Sequence, residues 1–267
     1  FRWLYLVGLE RVVFEYLLPA SWVHALHPVA RNGFGKAARR IAQASAIALA
    51  ALTAAPSAAF AEVRSLKLFF THTGERATIT YKRNGKYDPK GVAQVNRLLR
   101  DWRRNEPARM DPRLLDLVWE VYQRAGAKDY INIVSAYRSP ATNTMLRGRS
   151  RNTGVAKNSQ HTLGKAMDFF IPGVKLARLR ELAMQLQIGG VGYYPTSGSP
   201  FVHLDVGRVR AWPRVSRQEL ARIFPNGQTL HLPADGRALP GYDLAMVDYK
   251  RRVKATSVIA ASTAGKS

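Results

Sequence analysis

A chain of 267 residues, 46% of them hydrophobic, can bury a sizeable core as one large domain or two small ones. Its 41 Lys and Arg against 18 Asp and Glu leave a formal net charge of +23, which favours polyanionic partners such as nucleic acid, anionic lipid or acidic envelope polymers and does not choose among them. Cysteine is absent, so disulfides, thiolate zinc sites, a cysteine nucleophile and lipid attachment through cysteine are excluded, and any metal must be held by His and carboxylate.

Residues 1–35 start without Met, mix Arg2, Glu10, Arg11 and Glu15 with aromatics and Leu, and read as an upstream extension; an amphipathic helix is the alternative. Lys36, Arg39 and Arg40, a small apolar run from Ile41 to Ala55, and Ala59-Phe60-Ala61 have the order of a signal peptide and its cleavage site. Residues 36–61 are therefore expected to be removed, leaving a mature chain that begins near Glu62. A buried Ala-rich helix is the competing reading, and Arg39-Arg40 leaves twin-arginine export open. The apolar run is short for a membrane span, so no integral membrane protein is expected. Export to the periplasm or cell envelope counts against a nucleic-acid partner, which rests on charge alone.

From Val63 to Tyr81 the alternation predicts a hairpin turning at His72-Thr73-Gly74, with a further turn at Asn84-Gly85. Asp88 is placed to cap a helix with Val92, Val95, Leu98 and Leu99 on one face, and Asp111-Pro112 to open a second. A short buried strand over residues 130–134 delivers Ser135-Ala136-Tyr137-Arg138-Ser139-Pro140 at its end, and the polar stretch 147–158 reads as a surface loop. Strands are expected over 166–171, 190–194 and 201–206, and helices over 176–186 and 216–223. A basic tail of small residues from Lys250 to Ser267 reads as disordered. The mixture argues for an α+β fold in which helices pack on a mainly antiparallel sheet.

The chemistry centres on Ser159-Gln160-His161-Thr162-Leu163-Gly164-Lys165-Ala166-Met167-Asp168 and on Phe201-Val202-His203-Leu204-Asp205. Two His and one Asp form a three-ligand set that leaves a tetrahedral position open, the arrangement of a hydrolytic rather than a structural zinc. A loop would bring His161, one strand Asp168 and its neighbour His203. Arg138, at a strand end, offers a planar fork for a substrate carboxylate or a developing oxyanion.

The pattern Ser159-x-His161-x-x-Gly164-x-Ala166-x-Asp168 with a later strand His203 resembles the zinc peptidases of peptidoglycan, the D-alanyl-D-alanine carboxypeptidase and murein endopeptidase family. Ser135-Ala136-Tyr137-Arg138-Ser139 is similar to the Ser-Gly-Tyr-Arg-Ser segment of that family, and Phe201 to Asp205 followed by Trp212 to its murein endopeptidase K branch. The resemblance implies a Hedgehog/D-Ala-D-Ala peptidase-like domain over 62–249, with one zinc on the sheet held by His161, Asp168 and His203. It also implies cleavage of stem peptides or cross-links in peptidoglycan, with Arg138 and Ser159 binding substrate. Pro200 and Phe201 stand where many members of the wider group carry a general base. Asp205 is the expected substitute, since i and i+2 on a strand share a face, or else it orients a ligand; His72 and His231 are outside candidates. An exported wall-binding module that keeps its zinc without hydrolysis is the alternative function.

Overall fold

The computed structural model describes residues 62–149 and 154–264. The expected upstream extension and signal peptide, residues 1–61, lie outside the described residues. None of the described helices is long and apolar enough to cross a membrane.

Strands β1 (Val63–Phe70) and β2 (Arg76–Arg83) form the expected hairpin, and Asn84-Gly85 turns the chain into β3 (Lys86–Tyr87). Helix α1 (Pro89–Leu98) starts where Asp88 accepts from the amides of Lys90 and Gly91 and where Pro89 has no amide to satisfy. Gly91 is required there, since a β-carbon would sit 1.8 Å from the Thr80 carbonyl oxygen of β2. Asp111 caps α2 (Pro112–Arg124) in the same way, and β4 (Ile131–Ser135) follows. Ser139-Pro140, expected only as a strand end, opens a further helix α3 (Pro140–Arg147), Ser139 accepting from the Thr142 amide. After a 3₁₀ turn (Gln160–Leu163) come β5 (Ala166–Phe170), α4 (Leu176–Leu186), β6 (Gly190–Tyr194), β7 (Phe201–Asp205), β8 (Arg210–Trp212) and α5 (Arg217–Ile223). Helix α6 (Tyr242–Ala264) extends into the segment 250–267 that composition marked as a disordered tail, of which residues 265–267 lie outside the described residues; its sequence has high helix propensity and Asp248 pairs with Arg251 one turn on.

The eight strands make one sheet in the order β3-β2-β1-β4-β5-β7-β6-β8. It is mixed, which corrects the expectation of a mainly antiparallel sheet: β1 pairs with β4, and β6 with β8, in parallel. Both parallel pairs have a cause in the connections. Helices α1 and α2 carry the chain back across the sheet before β4 is laid beside β1, and residues 206–209 pass the start of β6 so that β8 runs alongside it.

Alternation then divides the faces. Met167 and Phe169 of β5 and Val202 and Leu204 of β7 are fully buried in the core with Leu179, Leu182 and Ala183 of α4 and Leu114, Val118 and Val121 of α2. Asp168, His203 and Asp205 consequently point to the opposite face. His231 belongs to the helical layer: it is 1% exposed, its Nε2 donates to the Met184 carbonyl at 3.2 Å, and its Nδ1 is buried without a partner among the described residues.

Burial pushes His231 down to about 4, so the folded protein holds it neutral. An unfolded His near ~6.5 takes a proton first, so this contribution to stability is complete above that value and is lost as pH falls towards 4, by about 3 kcal/mol in all. Urea midpoints at pH 7 and pH 4.5 should show a smaller acid loss in His231→Gln than in the wild type; equal losses would contradict the assignment.

Candidate metal centre

Cross-strand register sets the centre out as two rows. Asp168 faces His203, His203 faces Gly192 and Gly192 faces Trp212; one step along, Ala166 faces Asp205, with Gly190 and Arg210 beyond it. The two glycines of β6 leave gaps through which side chains of β8 reach those of β7. A β-carbon on Gly192 would lie 2.8 Å from the Trp212 indole and 2.9 Å from His203 Cβ, and one on Gly190 would lie 2.4 Å from Asp205 Oδ2. Trp212 therefore packs against the His203 ring, centroids 5.0 Å apart, and Arg210 grips Asp205.

His161 arrives from the 3₁₀ turn. Ser159 caps that turn by accepting from the His161 amide at 3.3 Å, and Gly164 ends it at φ 66, where a β-carbon would also strike the Arg109 carbonyl at 2.1 Å. The Nδ1–H of His161 donates to the Ala136 carbonyl at 2.7 Å, which fixes the tautomer and turns a bare Nε2 towards the cluster. That Nε2 lies 3.2 Å from His203 Nδ1 and 3.3 Å from Asp168 Oδ2, and His203 Nδ1 lies 2.7 Å from Asp168 Oδ1. All three residues are buried, and their ligand atoms lie within 4.8 Å of one another.

The electrostatics ask for a cation at this point. Burial would raise the Asp168 pKa, but the two imidazoles outweigh it and hold the carboxyl well below the usual carboxylate range. Burial lowers His161, against the pull of Asp168, which keeps its Nε2 a free donor pair. His203 is disfavoured as a cation by burial, yet its bonds to Asp168 and Asp205 prevail and push it up to about 9. Two nitrogens and a carboxylate oxygen converging on one point are a donor set that fits zinc.

A cleft of about 380 Å³ opens on the cluster, lined also by Arg138, Ser159, Tyr194, Phe201, Arg210 and Trp212. Arg138 is 9% exposed; its amide donates to the His161 carbonyl, one guanidinium nitrogen donates to Asn143 Oδ1 at 3.3 Å, and Nε has no partner among the described residues. Asp101, 1% exposed, supports it from behind by accepting from the amide and hydroxyl of Ser139.

Asp205 shares the face of His203 as expected, but it stands on the far side of the imidazole from the cluster. Its Oδ2 meets His203 Nε2 at 3.1 Å, and it accepts from Arg210 and from the amides of Gly190 and Gly207. Fully buried and encircled by donors, it does not line the cleft. His72 stacks on Trp102 and His231 lies in the helical layer, so neither reaches the site. Gly190, Gly192, Tyr194, Arg210 and Asp101 were not foreseen; the signal for the first two was glycine repeated inside a strand, which marks a close approach.

A family model described as peptidoglycan L,D-endopeptidase MepK matches residues 58–212, the stretch that carries every residue of the two rows. The chain belongs to this family. It is 41% identical over 162 residues to the peptidoglycan L,D-endopeptidase MepK of Escherichia coli strain K12, covering 59% of this chain and 87% of that protein. The Shigella flexneri MepK matches to the same extent. The probable MepK of Haemophilus influenzae is 41% identical over 145 residues, covering 54% of this chain and 76% of its own length. No solved structure matches. Membership in the MepK family accords with the geometry: the turn, the three buried ligand residues, Arg138 and Trp212 all fall inside the matched range.

Proposed function

We propose that the chain is a zinc-dependent peptidase that acts in the cell envelope on peptide bonds of peptidoglycan cross-links. The observation that carries this is the buried convergence of His161, Asp168 and His203 on an open cleft beside a guanidinium whose Nε has no partner among the described residues. Zinc bound there would supply an activated water at neutral pH and polarise a substrate carbonyl. The remaining work belongs to the protein. Arg138 has donors to spare for a substrate carboxylate, which would index the stem peptide in the cleft. Ser159 contributes by holding the turn that aims His161, rather than by offering its hydroxyl to substrate.

Asp205 is proposed as an orienting residue in place of a general base: it fixes His203 Nε2, which would leave Nδ1 available to a metal, and Arg210 fixes Asp205. Export and the removal of residues 36–61 would bring the protein to this substrate, and its positive charge would strengthen contact with anionic envelope polymers in a salt-sensitive way.

Digestion of purified peptidoglycan, with products identified by mass, tests the reading. Released cross-link halves are expected, while loss of terminal residues alone would indicate a carboxypeptidase and an unchanged digest a wall-binding module. In the same assay Asp205→Asn should need ~10–100-fold more free zinc for half activity and recover when zinc is in excess. A turnover defect that zinc does not rescue would return Asp205 to proton transfer.

A further inference from the structure

We propose that Tyr194 is a catalytic residue of the cleft, its hydroxyl donating to the carbonyl oxygen of the scissile peptide as that oxygen gains charge. The inference rests on the peptidase reading above and assigns a group that neither the ligand set nor Arg138 supplies.

Tyr194 pairs across the sheet with Phe201, two residues beyond the pairing of Gly192 with His203, so its side chain rises on the metal face. Its ring stacks on Phe201 with centroids 4.6 Å apart. The Trp212 indole, itself packed on His203, donates Nε1–H to the Tyr194 oxygen at 2.6 Å. The ring is thus held on one side by an aromatic stack and at its tip by a hydrogen bond, leaving little freedom to lose when substrate arrives.

That bond also decides what the hydroxyl can offer. A phenol oxygen that accepts from an indole keeps its own proton to donate, and among the described residues no acceptor takes it. Acceptance from Trp212 polarises the O–H and makes it a better donor. Tyr194 lines the cleft with the three ligand residues, and its phenol lies within electrostatic reach of the Arg138 guanidinium. Arg138 and Tyr194 then divide the anionic groups, the guanidinium taking a carboxylate that is present throughout and the phenol an oxygen that is charged only during reaction.

In the reaction, the oxygen of water bonds to the carbonyl carbon, the π pair moves onto the carbonyl oxygen, and the water passes one proton to solvent in the open cleft. Collapse returns that pair and breaks the C–N bond, and the departing amine takes a proton back from the same solvent. Tyr194 keeps its own proton throughout and contributes a hydrogen bond that is strongest when the carbonyl oxygen is anionic.

Tyr194→Phe removes the hydroxyl and retains the stack on Phe201. Expected are a fall in kcat of ~10²–10³-fold, as for loss of one oxyanion donor, with KM and zinc affinity within about threefold of wild type. A phosphinate pseudopeptide, which mimics the tetrahedral centre, should lose affinity by a similar factor, whereas a planar product peptide should not. Unchanged kcat overturns the proposal, as does a rise in KM alone, which would mean ground-state anchoring. Weakened zinc binding would also overturn it, making Tyr194 a support for Trp212 and His203. A wild type that leaves cross-linked peptide intact would reject the peptidase reading instead.

Discussion

His203→Ala should lose zinc binding and hydrolysis together. The substitution removes the central member of the cluster: His203 Nδ1 is 2.7 Å from Asp168 and 3.2 Å from His161 Nε2, while its other nitrogen meets Asp205. What remains is one imidazole and one carboxylate, too few for a hydrolytic zinc. Loss of the metal forfeits several kcal/mol of transition-state stabilisation, on the order of 10³–10⁴-fold in rate. Metal content after dialysis and peptidoglycan turnover are the two readouts. Full zinc occupancy in this variant would remove His203 from the ligand set.

Arg138→Met should keep the metal and lose the substrate. The guanidinium is 9% exposed, its Nε is unpartnered among the described residues, and burial lowers its pKa while Asp168 favours its charge. Truncating one partner of a buried charge pair costs about 2–5 kcal/mol, so kcat/KM should fall by ~10²–10³-fold or more. Amidation of the substrate carboxylate should cost the wild type a similar factor and the variant little, the non-additivity that marks a direct pair. Since a buried cation with open donors is an expense to the free protein, the urea midpoint of Arg138→Met should equal or exceed that of the wild type. Equal penalties from amidation in both proteins would mean that Arg138 binds something else.

Much of this centre was legible because its determinants are local. The caps at Asp88, Asp111 and Ser216 are set by neighbouring amides, and alternation in Phe201 to Asp205 was enough to place His203 and Asp205 on one face. The spacing of His161 and Asp168 was legible as a turn feeding a strand. Alternation gives the face of a strand but not which side of an imidazole a carboxylate will meet, and so the sequence left Asp205 between proton transfer and orienting a ligand, whereas the structure puts it behind His203. The parallel pairing of β1 with β4 joins residues more than sixty positions apart, and no local pattern encodes it. Helix α3 was within reach, since Ser139-Pro140 is a cap followed by a first-turn proline, but the strand before it drew the segment into the loop. Arg210 and Tyr194 escaped because their roles depend on glycines in a strand between them and their partners or on an aromatic clasp, both products of tertiary register.

The most direct measurement is a zinc titration of the chelator-treated full chain, with release of cross-link fragments followed at each addition. The account predicts no release without metal and a rate that climbs to a plateau at one zinc per chain. Full activity in protein shown to be free of metal would contradict it.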